Sequence, residues 1–462
     1  MSERDSQSHV GAVDSCRTEV YPLKAASRVA VVVLCLHVVF EYLRVHQIFP
    51  ILDQLKIQTA FFALLILIVI AQTKKRKVRL ARQSRLLLGF LGLMVFTFPL
   101  ATNWFYAYQF AYGVALILVG YFAITHILQN ERDLRIFLGW LVGIHIYLAI
   151  KGILGYTERE FTESGYKSTG VVGGSFLGDE NDVALALIVV LPFAMYLFRE
   201  ARAVPSRIFW GVGAVAILLT IVLTFSRGGF VGLVAMVLYW VGASRYRGKA
   251  IGALALAAIL VIAVAPPQYW ARISTITQAD EGTAQLRQYY WAADRRMFFD
   301  SPIWGVGGNN SGLLMPEYAF DFPPEERPNQ WGRASHSLYF QLLAEFGLVG
   351  VFLIGTVLVS NFRDLTQISA LGRNARPSAS IAQLAKCLRV SWVGFLVSAA
   401  FLSVLGYPHL YYLTALTVVV QRLALEEKNA VTKTRAVVSK TQTDQGVAAH
   451  LVTTLTPGRR QR

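Results

Sequence analysis

Phe105 to Leu128 reads FYAYQFAYGVALILVGYFAITHIL, a run of 24 residues with no Asp, Glu, Lys or Arg. About 20 residues of helix cross a hydrocarbon core, and a backbone exposed to lipid must satisfy its own hydrogen bonds. The run therefore reads as a membrane-spanning helix. Working outward, further apolar blocks occupy 26–40, 57–72, 86–100, 136–152, 183–198, 208–225, 229–243, 250–265, 338–361, 389–405 and 410–424. The short alternating strands of a membrane β-barrel are absent from the pattern. Composition agrees, with 55% hydrophobic and 16% charged residues against about 25% charged in an average soluble domain. The expected architecture is an all-α polytopic membrane protein of 12 transmembrane helices.

Twelve crossings put both termini on one side, and the positive-inside rule chooses which. With the N-terminus cytoplasmic, inner segments hold 32 of the 44 Lys and Arg residues and outer segments hold 12. The run Lys74-Lys75-Arg76-Lys77, followed by Arg79, Arg82 and Arg85, is the strongest anchor. The formal charge of +16 is then an orientation signal and an attraction to anionic lipid heads. A nucleic-acid partner is not expected, because the charges are dispersed over many short loops. The reading is a bacterial inner-membrane protein with both ends in the cytoplasm. Its parts are a tail 1–25, nine helices in 26–265, a large outer loop 266–337, three helices in 338–424, and a polar tail 425–462 expected to be disordered.

The first apolar block follows a long polar tail and precedes no A-x-A-like site, so it reads as a retained helix. Cys16 lies in that tail, Cys35 in the first block and Cys387 in a basic inner loop, which makes neither a disulfide framework nor a metal cluster. No internal repeat is present.

Three outer segments can carry chemistry. The first, 155–182, ends in Gly178-Asp179-Glu180-Asn181-Asp182. The second is the short hairpin Ser226-Arg227-Gly228-Gly229. The third is the large loop, with a helix-like stretch Thr283 to Phe299, a Gly-rich turn Gly305 to Gly312 and a Pro-rich stretch Phe322 to Pro328. Only His46, His336 and His409 of the eight histidines fall outside. His336 sits where the large loop meets the next helix, and imidazole is the side chain suited to take a proton near neutral pH. The competing reading is an interfacial histidine satisfied by water.

Arg227 is the one charge in its turn. Ser226 is a natural N-cap for a helix beginning near Gly228, and the glycines would leave backbone N–H groups accessible. Amides and a guanidinium at headgroup depth suit a lipid-linked phosphate or diphosphate. A snorkelling arginine explains the residue equally well. Arg287 has Tyr290 and Trp291 on the same helical face, and Arg295 and Arg296 follow two turns later. A second arginine would share the charge of a diphosphate leaving group, while an amphipathic helix on the membrane surface is the plainer account. Asp179, Glu180 and Asp182 read first as a helix cap and first turn, with Asp179 or Asp182 as contacts for a sugar or acceptor. Glu345 falls inside a helix about nine residues past His336 and reads either as an interhelical contact or as a functional intramembrane acid. The turn Gly305-Val306-Gly307-Gly308-Asn309-Asn310 has no preceding strand and is not a dinucleotide fingerprint; it shapes the floor of a cavity. The aromatics Tyr289, Tyr290, Trp291, Tyr318 and Trp331 can stack on sugars or form an interfacial belt.

Four stretches, in order, resemble the superfamily of O-antigen ligases and polysaccharide polymerases. They are SFLGDENDVALALIVVLPF at Ser175 to Phe193, TFSRGGFVGL at Thr224 to Leu233, LRQYYWAADRRMFFDSPIWGVGGNN at Leu286 to Asn310 and ASHSLYFQLLAEFGLVG at Ala334 to Gly350. The first and last look most like the O-glycosylation ligases found beside exosortase systems. The resemblance implies a GT-C-like, membrane-embedded, metal-independent glycosyltransferase without a cofactor. Such enzymes move a glycan from undecaprenyl diphosphate to an acceptor hydroxyl of a glycolipid, glycan or protein on the periplasmic face. By motif, Arg227 and Arg287 match the arginines that hold the diphosphate, and His336 the histidine that acts on the acceptor. Arg295 and Arg296 compete with Arg287. A transporter of lipid-linked glycans is the alternative from another class, against which stand spans nearly free of charge and the absent repeat.

Overall fold

A computed structural model describes residues 28–74, 80–157, 161–162, 165–166, 177–244, 283–374 and 379–430, with isolated positions between 248 and 274. The tail 1–25, the part of the tail 425–462 beyond 430, the side chain of His46 and most of the block 250–265 lie outside the described residues; residues 425–430, expected to be disordered, are helical.

The described chain is helical, apart from a two-residue antiparallel pair of Phe161–Thr162 with Gly165–Tyr166. The helices are α1 (Arg28–Leu43), α2 (Ile57–Lys74), α3 (Arg82–Phe96), α4 (Trp104–Ile127), α5 (Glu131–Thr157), α6 (Glu180–Glu200), α7 (Val204–Leu223), α8 (Arg227–Ala243), α9 (Thr283–Asp300), α10 (Ser311–Tyr318), α11 (Leu338–Asn374) and α12 (Ala379–Ala399). A final helix, α13, covers 408–430. Among the described residues, six helices are long and apolar enough to cross a membrane: α4 to α7, α11 and α12; α2 and α8 are shorter apolar helices.

Helix α6 is the hub. It packs against α5, α7, α8 and α12, and 83% of its apolar window is buried. Gly229 lets α8 approach α6, and Gly228 lets it approach the segment after α12. A Cβ on Gly229 would stand 2.6 Å from Ala184 Cβ on α6, and one on Gly228 3.1 Å from Phe401 Cβ. The polar links of the far end of the bundle lie elsewhere: Arg135 meets Glu200 at 3.4 Å, and Tyr196 shares a hydrogen bond with Ser380 at 2.8 Å.

Two helices differ from the apolar blocks. The block 389–405 is displaced: α12 begins at Ala379 and ends at Ala399, so Cys387 is a buried helical residue rather than a loop residue. Leu402 to Tyr407 then form an irregular segment facing a cavity. Helix length follows backbone hydrogen bonding, and polar residues such as Gln383 and Lys386 can extend an apolar helix at its N-terminal end.

Helix α11 is broken at Gly347, with φ 54° and ψ −157°. The break frees backbone groups, and the Gly-rich turn satisfies them. The N–H groups of Leu348 and Val349 donate to the carbonyls of Pro302 and Ile303 at 2.8 and 3.2 Å. In return, Val306 and Gly307 donate to the carbonyls of Ala344 and Glu345 at 2.9 and 3.0 Å. Two left-handed glycines make this backbone-on-backbone docking feasible. A Cβ on Gly347 would lie 2.6 Å from the Ile303 carbonyl, and one on Gly305 (φ 70°) would collide with the Glu345 carbonyl. The large loop is thereby grafted onto α11. A small second core seals the graft, where Tyr290, Met297, Met315 and Phe322 meet Ala344.

Candidate functional site

Helix α9 sets the position of His336. The Nε1–H of Trp291 donates to the Ser335 carbonyl at 3.0 Å, and the indole stacks on Phe340 with ring centroids 5.1 Å apart. Ser335 is buried, and His336 follows it in the left-handed region with φ 49°. Asp294, one turn from Trp291, is fully buried below Ser335. The Ser335 hydroxyl is close enough to favour its carboxylate, yet neither Asp294 oxygen closes a hydrogen bond of normal geometry. Burial pushes this carboxyl up to about 7.

His336 opens onto the cavity, while protein encloses enough of the ring to disfavour its cation. Its pKa is lowered first by that desolvation, then by the positive charges of Arg287 and Arg333; Asp179 opposes them. Arg287 and Asp179 are thus both electrostatic neighbours of His336.

The segments carrying Asp179 and Arg227 are tied together. Ser226 caps α8 by accepting from Gly229 N–H at 2.9 Å and donates to Asn181 Oδ1 at 2.6 Å. Asn181 donates from its side chain to Asp179 Oδ1 at 2.6 Å, and Asp179 caps α6. The glycines after Arg227 are both buried, and the Gly229 amide is taken by the cap. Close packing explains them, Gly229 against Ala184 of α6 and Gly228 against Phe401.

A cavity of about 550 Å³ adjoins His336. Asp179, Asp182, Gln341 and Glu345 line it, and the irregular segment before α13 adds Tyr407. Tyr407 donates to Asp182 Oδ2 at 3.2 Å. Glu345 accepts from Ser311 at 2.8 Å and from Gln341 at 3.3 Å. Glu345 and His336 therefore share a chamber although they lie far apart along the chain, and the Gly-rich turn does form part of its wall through Asn309 and Ser311.

Several expected residues are occupied elsewhere. Arg296 donates to the Tyr318 carbonyl and to Asp321 at 2.9 and 2.7 Å, holding the Asp321 carboxyl below its usual range. Arg295 is exposed and does not line the cavity. Tyr290 is buried against Phe322, and Trp291 spends one face on Phe340, so both shape the loop. His409 is buried, edge-on to Tyr42, away from the cavity. The sequence reading missed Gln341, Ser335 and Tyr407. Only Gly406-Tyr407-Pro408, a helix-start signal, marks the last of these in sequence.

These features define the class: a helical membrane protein with a polar chamber, on which a histidine opens within the electrostatic reach of an arginine. Residues 212–355 match the family model described as O-Antigen ligase. No curated protein matches the chain.

Proposed function

We propose that the protein is a glycosyltransferase of the O-antigen ligase type, moving a glycan from undecaprenyl diphosphate to an acceptor hydroxyl. The observation that carries this reading is the electrostatic coupling of Arg287 to His336 within the family-matched stretch. Arg227 and Arg287 hold the diphosphate. His336 accepts the proton of the acceptor hydroxyl as the new C–O bond forms at the anomeric carbon. The old anomeric C–O bond breaks, and its electron pair leaves on the diphosphate, stabilised by the two guanidinium groups. A single displacement inverts the anomeric configuration, and the activated leaving group needs no metal.

The reading places the chain in a bacterial inner membrane with 12 crossings and the chamber toward the periplasm. Support comes from convergence: the segments ending in Asp182, at Ser226 and from Pro266 to His336 are assigned to one side by charge, and Asp179, Ser226 and His336 lie in one neighbourhood. A polymerase of the same superfamily is the second reading, since the matched family includes both.

The test is the fate of undecaprenyl-linked glycan in a deletion strain complemented with wild type, His336→Ala, Arg227→Ala or Arg287→Ala, each checked for membrane expression. Lipid-linked polymer that builds up and is cleared only by wild type establishes transfer after polymerisation. Accumulated single repeat units establish the polymerase. Normal turnover in all three variants overturns the site assignment.

A further inference from the structure

A second cavity, of about 880 Å³, lies on the flank of the bundle between α1, α5 and α7. Helix α6 fixes its place relative to the chamber beside His336. Asp182, in the first turn of α6, lines that chamber, and Glu200, the last residue of α6, meets Arg135 of the flank cavity at 3.4 Å. At 1.5 Å per residue the two ends of α6 stand about 30 Å apart, the thickness of a hydrocarbon core. The arginine end of the flank cavity therefore lies at the opposite membrane face from the chamber, outside the machinery proposed for transfer. The cavity also opens sideways: Trp140 and Tyr147 on its wall are 48% and 51% exposed, on a helix apolar enough to cross a membrane.

The lining is divided by charge. Arg132 and Arg135 stand at one end, and every other described lining residue is uncharged. The nearby acids do not line it. Glu131 and Glu200 act through their charges on Tyr196 of α6, and Asp133 accepts from Asn130 at 2.8 Å in the field of Arg132. Arg135 touches Glu200 through Nη1 and stays 42% exposed, and Arg132 is exposed. The turns 129–135 and 199–207 together hold five arginines against three acids, and the positive N-termini of α5 and α7 lie among them. From Ile136 to Tyr147 the wall then runs about 16 Å along the helix axis, close to the ~15 Å depth of one leaflet of acyl chains. Glycines leave this wall open: a Cβ on Gly143 would meet nothing within 4 Å, and one on Gly139 would only touch Trp210 at 3.7 Å.

We infer that this cavity binds one anionic glycerophospholipid, its phosphate held by Arg132 and Arg135 and one acyl chain laid over Gly139 and Gly143. Two guanidinium groups at headgroup depth select a head with net negative charge. A zwitterionic head would set its own ammonium against the same arginines, and a free phosphate would leave the apolar wall uncovered. The bound lipid bridges α1, α5 and α7, so it stabilises their packing. The inference stands apart from the transferase reading.

The experiment is native mass spectrometry of the full chain, delipidated in detergent, with dioleoyl phosphatidylglycerol and dioleoyl phosphatidylcholine as probes at equal concentration. One phosphatidylglycerol should be retained with a preference of ~10-fold or more over phosphatidylcholine, and adding it should raise the unfolding temperature. Arg132→Gln combined with Arg135→Gln should remove the preference, at about 5-fold for each charge lost. Gly143→Leu should fill the cavity and lower retention. Gly355→Leu, at another glycine whose Cβ would meet nothing within 4 Å, should leave retention unchanged. Equal retention of the two lipids by wild type overturns the inference. So does undiminished preference in the double arginine variant, whose changes fall on exposed side chains and keep the test decisive if Gly143→Leu fails to fold. Equal loss in Gly143→Leu and Gly355→Leu overturns it as well, since the lipid would then sit elsewhere. A wild-type dimer that retains no lipid, and that Gly143→Leu separates, also overturns it, because a second copy of the chain would then fill the cavity.

Discussion

The Nε1–H of Trp291 donates to the carbonyl of Ser335 at 3.0 Å, one residue ahead of His336. Arg287 lies one turn before Trp291 on the same helix, so a single element carries the arginine proposed to hold the diphosphate and pins the backbone beside the proposed base. Positive φ is disfavoured for a residue with a Cβ and persists only where neighbours hold it. Trp291→Phe keeps the stack on Phe340 and removes the hydrogen bond. The expected outcome is a stability loss of about 1 kcal/mol by thermal unfolding, with kcat reduced more than ~10-fold and acceptor KM little changed, because misplacing a base by a fraction of an ångström weakens proton transfer. Equal kcat would deny Trp291 any positioning role.

Activity should rise with pH along an acid limb set by His336. The base must be neutral to accept a proton, and desolvation with Arg287 and Arg333 lowers its pKa below the ordinary 6.5. Arg333→Gln removes one positive neighbour, so the imidazolium becomes more favourable and the limb moves to higher pH. Asp179→Asn removes the opposing negative charge and moves it to lower pH. The pH dependence of kcat/KM in the two variants, read against wild type, checks both signs.

Gly347→Ala is expected to abolish accumulation of folded protein. The added methyl meets the Ile303 carbonyl at 2.6 Å and enforces a strained φ of 54°. Strain of this kind costs about 1–3 kcal/mol before the clash is counted. Gly355→Ala, where a Cβ meets nothing within 4 Å, is the control on the same helix and should be gained or neutral. Membrane levels by immunoblot and unfolding temperature separate the two.

Asp294 makes stability depend on pH. Its carboxyl titrates near 7 in the folded chain because burial penalises the charge, against about 3.9 when unfolded. A raised pKa contributes stability that is fully present below the unfolded value and is lost as pH rises through 7. Wild type should therefore melt at progressively lower temperature from pH 5 to pH 8. Asp294→Asn should flatten that slope and be the more stable form at pH 8, by on the order of a few kcal/mol at most. Parallel melting curves at both pH values would show that the carboxylate is solvated.

Much of this protein was legible in one dimension. Helical blocks, the cap at Ser226 and the helix from Thr283 follow from local rules, since apolar run length and capping chemistry act within a few residues. The residues at Arg227, Arg287 and His336 stood out because charge is scarce in an apolar chain. Tertiary structure alone separates the competing arginines: Arg296 is spent on Asp321 and the Tyr318 carbonyl, while Arg287 acts on His336 through its charge. It also decided that Glu345 and His336 share a chamber, because the turn at Gly305 docks into the break at Gly347. Gln341 and Tyr407 were invisible for the same reason. Their roles come from partners far along the chain, and hydrogen bonds across such separations leave no periodicity or spacing in the sequence.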